Sequence, residues 1–425
     1  MFDIFKLFGD DPYERFRKGV AAHERGKLDV AEREYERAIF LNPFVAQFHS
    51  NLGDLLQQQG KPGDAKDALD EAIRLDPKNA AIHNNYAVIM EELGYMDVAE
   101  KHYKRAIFLD PKYIHARVNL ADLLAKRKEY AKAEAEYRHV LDESPDHAYA
   151  RQNLAITLKN AGKYDESVRE LTTLLQERPD DAYLHMVRGM VYYMQGNPTD
   201  AREEYQTSIR LDPNNPVTHN NLGGLLQDFG QTDDAEREYR EAIRLDSDYI
   251  LARENLARLF QEMKDFERAE YEYREIIRLH PESLTTYMFL GRLLVSTRRF
   301  EEAYTTIEDA TKYGFRDYEL LKMARELKEM ASQMDVGDGL AGVDATGDVN
   351  GEGETSDVNR AGETSETDAP EGVDETDGVD EIDTTGMDET DRTDGMSGGD
   401  KMDTYDDSRS DDRAAQPDKI DDDTI

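Results

Sequence analysis

Residues 80–113 read AAIHNNYAVIMEELGYMDVAEKHYKRAIFLDPKY, and this 34-residue stretch decides the fold because it recurs. Its proline, Pro111, stands on one 34-residue grid with Pro43, Pro77, Pro145, Pro179, Pro213 and Pro281, and only Ser247 breaks the series. With the proline at position 32 of each repeat, nine repeats run without insertion from Pro12 to Asp317. A period of this length marks a stacked array, in which one supersecondary unit cannot bury its apolar face alone and its neighbours bury it instead.

Within each repeat, positions 3, 7, 8, 10, 11 and 14 are mostly apolar or small, the stripe of an amphipathic helix, helix A. Position 8 is always small: Gly19, Gly53, Ala87, Ala121, Ala155, Gly189, Gly223, Ala257 and Gly291. A turn follows, often marked by glycine (Gly26, Gly60, Gly94, Gly162, Gly196, Gly230), and then helix B begins, with Asp29, Asp97, Asp165 or Asp233 in its first turn, where carboxylates are expected to accept free backbone N–H groups. Helix B carries a small residue at position 20, from Ala31 to Ala303, and a tyrosine at position 24 in six repeats: Tyr35, Tyr103, Tyr137, Tyr205, Tyr239 and Tyr273. The two small columns let paired helices approach closely. The proline, which lacks an N–H and disfavours helix in the residue before it, ends each repeat.

These columns resemble those of tetratricopeptide repeats over about three quarters of the chain. The resemblance implies an all-α fold, a right-handed α-solenoid whose A helices line a concave groove. The ends of such a stack need covers. Residues 1–11, with Phe2, Ile4, Phe5, Leu7 and Phe8, are expected to cap one end, a membrane-surface anchor being the alternative. Residues 318–334 place Leu320, Ala324, Leu327, Ala331 and Met334 on one face, as a C-terminal capping helix would. Residues 335–425 form the remaining segment.

The whole chain holds 92 acidic and 53 basic side chains, a net charge of −39, and neither cysteine nor tryptophan. That balance argues against nucleic acid as a partner, which needs clustered Lys and Arg. Lack of cysteine removes disulfides, thiolate chemistry and cysteine-ligated zinc, and suits a reducing compartment. No stretch reaches the 18 apolar residues of a membrane span and the first ten do not read as a secretory signal, so the expected location is cytoplasmic. Residues 336–425 alone hold 30 acidic and 6 basic side chains, with stuttering runs such as VDETDG. This composition buries too little apolar surface to offset the entropy of ordering, so the segment is expected to be disordered.

Catalytic and metal motifs fail on inspection. His23-Glu24 starts a metalloprotease pattern, but Lys27 stands where the second histidine belongs. His49, His83, His185 and His219 share position 4 and are read as repeat surface, not metal ligands. Gly337, Gly339 and Gly342 match G-x-G-x-x-G without a preceding strand. Asp348, Asn350, Glu352 and Gly353 resemble the start of a calcium loop, but its twelfth position is Asn359, which cannot supply the bidentate carboxylate. No cofactor, metal or catalytic residue is expected.

Binding chemistry concentrates on helix A positions 2, 5, 6, 9, 12 and 13, opposite the packing stripe. Position 6 is asparagine in six repeats: Asn51, Asn85, Asn119, Asn153, Asn221 and Asn255. An amide both donates to and accepts from a peptide bond. The column resembles the asparagine ladder in the repeat arm of the O-linked N-acetylglucosamine transferases, which implies a grip on extended polypeptide; nothing after Met334 resembles their catalytic domain. The alternative is that the amides bond to neighbouring helices. A carboxylate clamp for acidic chaperone tails would need Lys or Arg at positions 2, 5 and 6, and only Arg17 fits. In the sixth repeat the same face turns apolar, with Tyr183, Met186, Val187, Met190, Tyr193 and Met194, and reads as a pocket for an apolar anchor, as local core, or as a self-contact site. The expected function is a non-enzymatic scaffold or adaptor binding extended segments of other proteins. The rivals are a recognition subunit for a separate enzyme such as a glycosyltransferase, and a chaperone or buffer that holds basic proteins through the acidic tail.

Overall fold

The computed structural model describes residues 10–314, 318, 322–330 and 332. Residues 1–9 of the expected N-terminal cap and the whole acidic segment, 335–425, lie outside those residues, as do Leu320, Ala331 and Met334. Among the described residues every regular element is a helix, and the chain is an α-solenoid of consecutive helix-turn-helix repeats. They fall into two compact bodies, one ending at Met263 and the other starting at Lys264.

The first body holds α1 (Pro12–His23), α2 (Leu28–Leu41), α3 (Ala46–Gln58), α4 (Pro62–Leu75), α5 (Ala80–Glu92), α6 (Met96–Leu109), α7 (Ile114–Lys126), α8 (Tyr130–Glu143), α9 (Ala148–Asn160), α10 (Tyr164–Glu177), α11 (Ala182–Met194), α12 (Pro198–Leu211), α13 (Pro216–Asp228), α14 (Thr232–Leu245) and α15 (Ile250–Glu262). Odd helices are the A helices and even ones the B helices. The tyrosine column lies in the seam between the helices of each repeat: Tyr35, Tyr103, Tyr137, Tyr205 and Tyr239 are at most 1% exposed. Small residues at position 8 make room for them. A methyl group added at Gly223 would sit 2.8 Å from the Tyr239 ring, closer than carbon atoms approach.

Between A and B helices the chain must reverse within a few residues, and position 15 does this by adopting left-handed backbone. Gly26, Gly60, Gly94, Gly162, Gly196 and Gly230 have φ of 67° to 82° there, and Lys128 takes the same conformation at 60° without being glycine. The first turn shows why: Gly26 N donates to His23 O and Lys27 N to Ala22 O, both at 2.9 Å, so the αL residue returns the chain onto the last carbonyls of helix A. Asp29, Asp97, Asp165 and Asp233 do lie in the first turns of their B helices. The residues at the N-cap itself, Lys27, Tyr95, Lys163 and Gln231, make no side-chain capping bond, so the acids act there through their charge at the positive end of the helix dipole.

The second body holds α16 (Phe266–Leu279), α17 (Leu284–Ser296) and α18 (Phe300–Lys312), followed by helical residues 322–330. Ala324 and Leu327 are buried at 8% and 2% exposure, and Met323, Leu327 and Met330 line a recess with Arg292 and Val295 of α17. Lys264 and Arg298 supply the left-handed turn residues here, at φ of 61°.

Candidate functional site

The asparagines sit on the A helices, and most of their amides reach back to the helix of the preceding repeat. Asn85 Nδ2 donates to Asp54 Oδ1 at 2.8 Å and Asn153 Nδ2 to Asp122 Oδ1 at 3.1 Å, so position 6 bonds to position 9 one repeat earlier. Where position 9 offers no acceptor, position 5 does: Asn119 Nδ2 donates to Asn84 Oδ1 at 2.9 Å, and Asn255 Nδ2 to Asn220 Oδ1 at 2.8 Å. The preceding residues at position 9 in those two cases are Val88 and Gly224. Ahead of Asn221 both positions are methionine, Met186 and Met190, and Asn221 Nδ2 is buried with no partner. The column is thus a stitch between repeats as well as a surface.

Exposure divides it further. Asn51, Asn85, Asn119 and Asn153 are half-buried, whereas Asn221 and Asn255 are each 1% exposed. Asn51 and Asn85 line a pocket of about 540 Å³ between α3 and α5, together with Gln47, Ser50, Asp54 and Tyr113. Burial raises the Asp54 carboxyl to about 7, and the hydrogen bond from Asn85 works against that rise. Asp122 is raised as well, again by burial, while Tyr137, Tyr149 and Asn153 donate to it. Asp54 therefore exchanges its proton near neutrality and, when protonated, can donate as well as accept.

In the sixth repeat Met186, Val187 and Met190 are at most 3% exposed; Met186 and Val187 pack in a cluster with Leu184, Val191 and Val217. Tyr183 and Tyr193 are half-buried, and Met194, at 42%, is the residue that stands open. An incoming side chain therefore meets Met194 and the edges of the tyrosines.

A second ladder, absent from the sequence reading, joins position 12 of one repeat to position 13 of the next. His23 Nε2 lies 2.9 Å from Gln58 Oε1, Gln57 Nε2 donates to Glu92 at 3.3 Å, Lys126 Nζ donates to Glu91 at 3.0 Å, and Tyr193 donates to Asp228. Lys159 at position 12 has Met194 opposite it in this register. It is 4% exposed, and burial lowers its ammonium to about 8.

The histidine column has a structural task. Nε2 of His49, His83, His185 and His219 lies 2.9 to 3.3 Å from the carbonyl oxygen of the position-32 proline one repeat earlier. Arg117 and Arg151 make the same bond, and Arg253 reaches the carbonyl of Ser247, which explains how that repeat keeps its geometry without the proline. On its other side position 4 pairs with position 23, as Arg151 with Glu170 at 2.5 Å and His219 with Glu238 at 2.7 Å. In the third repeat that partner is a histidine, and His83 Nδ1 stands 3.1 Å from His102 Nδ1. Among the described residues no three His, Asp or Glu side chains gather as a metal site would need, and no helix is long and apolar enough to cross a membrane.

No curated protein matches the chain. Among solved structures it is similar to a tetratricopeptide repeat protein of Parabacteroides merdae, at 24% identity and a TM-score of 0.48, over 59% of this chain and 98% of that one. It is also similar to a thermophilic repeat protein of Thermus thermophilus, at 21% identity and a TM-score of 0.38, over 43% of this chain and 99% of that one. The C-terminal part of a repeat protein of Cytophaga hutchinsonii matches at 16% identity with a TM-score of 0.43, over 56% and 97%. Family models for the tetratricopeptide repeat match residues 16–60, 50–114, 97–148, 153–216 and 254–317, and a second such model matches 204–237. With well over half of its length matched by these models, the chain belongs to the tetratricopeptide repeat family.

Proposed function

We propose that the array is a non-enzymatic scaffold that binds extended polypeptide segments of other proteins along the exposed face of its A helices, with the cytoplasm as its compartment. Tetratricopeptide repeats generally mediate binding to other proteins, which makes a protein-interaction scaffold the coarse reading. The observation that carries the finer one is the pocket between α3 and α5, whose wall alternates amide, carboxyl and hydroxyl groups of Gln47, Asn51, Asp54, Asn85 and Ser50. Its volume of about 540 Å³ suits a few residues of peptide. Each asparagine amide has four hydrogen-bonding valences, so the stitch to the preceding helix leaves capacity for a peptide group.

The test uses a reduced, carboxymethylated protein that cannot refold, labelled for fluorescence anisotropy. Removing both amides with Gln47→Ala and Asn51→Ala deletes two neutral contacts of roughly 0.5 to 1.5 kcal/mol each, so binding is expected to weaken about tenfold or more at unchanged helicity. Equal binding by the folded double variant, or preference of the wild type for the native form of the same probe, would overturn the reading.

A further inference from the structure

The cavity between α3 and α5 lies within the first body, and its wall is one-sided in charge. Asp54 and Asp76 contribute carboxyl groups to it, and none of the described residues that line it is lysine, arginine or histidine. Asp54 Oδ1 accepts from Asn85 Nδ2, and no other described side chain donates to that carboxyl or sets a cation beside it. Two repeats later the same position is satisfied: Asp122 accepts from Tyr137, Tyr149 and Asn153 and has Lys126 near it. Burial without a counter-charge raises the Asp54 carboxyl to about 7, and a cation beside it would favour the ionised form. Apolar groups share the wall, Val45, Leu75 and Ile82, together with Phe44 at 75% exposure. Apolar surface next to a carboxyl matches the build of a long basic side chain, whose methylene stem is buried while its charged end donates. A peptide N–H would satisfy one lone pair of Asp54 but not its charge.

We propose that this cavity is the subsite for a lysine or arginine side chain of the bound polypeptide, with the charged end on Asp54 and the stem against Leu75 and Ile82. The inference rests on the reading of this face as a polypeptide site and adds the side chain that the site selects. A cation on Asp54 favours the ionised carboxyl, so binding releases a proton below pH 7. Affinity for the basic side chain therefore rises with pH up to about 7 and then levels. The other titratable groups around this carboxyl are Tyr35 of α2, which burial raises to about 12, and Asp76 and Tyr113 of the wall. His49, the histidine of α3, is turned to the Pro43 carbonyl and is absent from the wall.

The test uses an arginine-free, carboxymethylated unfolded probe in two forms, its lysines dimethylated, which keeps their charge, or acetylated, which removes it. Fluorescence anisotropy of each form with the full chain, at pH 8 and at pH 5.5, gives the preference for the charged form. The wild type is expected to prefer the dimethylated probe about tenfold at pH 8 and about threefold or less at pH 5.5, where Asp54 is protonated. Asp54→Asn keeps the acceptor for Asn85 and should lower the preference to about threefold or less at both pH values. Asp67→Asn, at an exposed position of α4, should leave the preference unchanged. Equal binding of the two forms by the wild type, or a tenfold preference that persists in folded Asp54→Asn or is the same at both pH values, would overturn the subsite and leave the scaffold reading standing. Failure of both forms to bind would overturn the scaffold reading and the subsite with it. If Asp54→Asn does not fold, the wild-type pH profile decides alone.

Discussion

Replacing Asn85 with alanine should destabilise the array, and by an amount that depends on pH. The amide donates to Asp54 at 2.8 Å and accepts from Asn84 Nδ2 at 3.2 Å. Burial raises the Asp54 carboxyl to about 7, and the Asn85 bond is the one influence that lowers it. Since an unfolded Asp titrates near 4, the folded state binds the extra proton between those values, and wild-type stability falls as pH rises from about 4 to about 7 and then levels. In Asn85→Ala the folded pKa moves higher still, so the decline continues past 7 and the gap from wild type widens. At pH 5 the lost contact is between neutral groups and should cost roughly 0.5 to 1.5 kcal/mol; at pH 9 it is a bond to a carboxylate, roughly 1.5 to 3 kcal/mol. Urea unfolding followed by far-ultraviolet circular dichroism at both pH values measures this. Asn119→Ala is the control, because its acceptor Asn84 does not titrate. An Asn85→Ala cost that is equal at pH 5 and pH 9, or a pH-dependent cost for Asn119→Ala, would refute the stitch as described.

Three further outcomes are expected. Gly223→Ala forces its methyl group to 2.8 Å from the Tyr239 ring and should cost about 1 to 3 kcal/mol in urea unfolding, reduced by up to about 1 kcal/mol of improved helix propensity; a stabilised variant would contradict the packing. Lys128→Gly relieves a left-handed backbone and should stabilise by about 1 kcal/mol, whereas a loss of stability would show that the lysine side chain matters there. In imidazole titrations by NMR, His219 should titrate above the usual 6.5: burial opposes its charge, but the bonds to Glu238 and the Pro213 carbonyl outweigh it, so its stabilising effect is full below about 6.5 and is lost as pH rises from there through the raised folded pKa. His102, lowered to about 4 by burial and by His83, should behave oppositely, with stability lost as pH falls toward 4; the reverse order of titration would refute both assignments.

The period, the helix pairs and the tyrosine seam were legible in the sequence because each is a single column that obeys one steric rule. Turns were legible only where glycine marked them: Lys128, Lys264 and Arg298 adopt the same left-handed backbone because the hydrogen bonds around position 15 impose it. The asparagine column was visible, but its partners were not, since a bond from position 6 to position 9 or 5 of the previous repeat depends on how adjacent A helices are rotated. Once that rotation is known the rule reads directly from residue types. Asp54 and Asp122 answer Asn85 and Asn153, Asn84 and Asn220 answer Asn119 and Asn255, and the methionines of the sixth repeat leave Asn221 unanswered. The apolar face of that repeat was likewise visible as a pattern, while the division between buried Met190 and open Met194 was not.

The central claim is that polypeptide lies along the exposed A-helix face, and site-specific photocrosslinking tests it most directly. A benzophenone side chain placed at Gln47 or Met194 on that face, or at Lys104 or Arg240 on the exposed sides of α6 and α14, is illuminated with the carboxymethylated unfolded probe. Adducts at Gln47 and Met194 that an excess of unlabelled probe suppresses, with none at Lys104 and Arg240, are the predicted result. Equal labelling of both pairs of positions, or labelling confined to the B helices, would contradict the account.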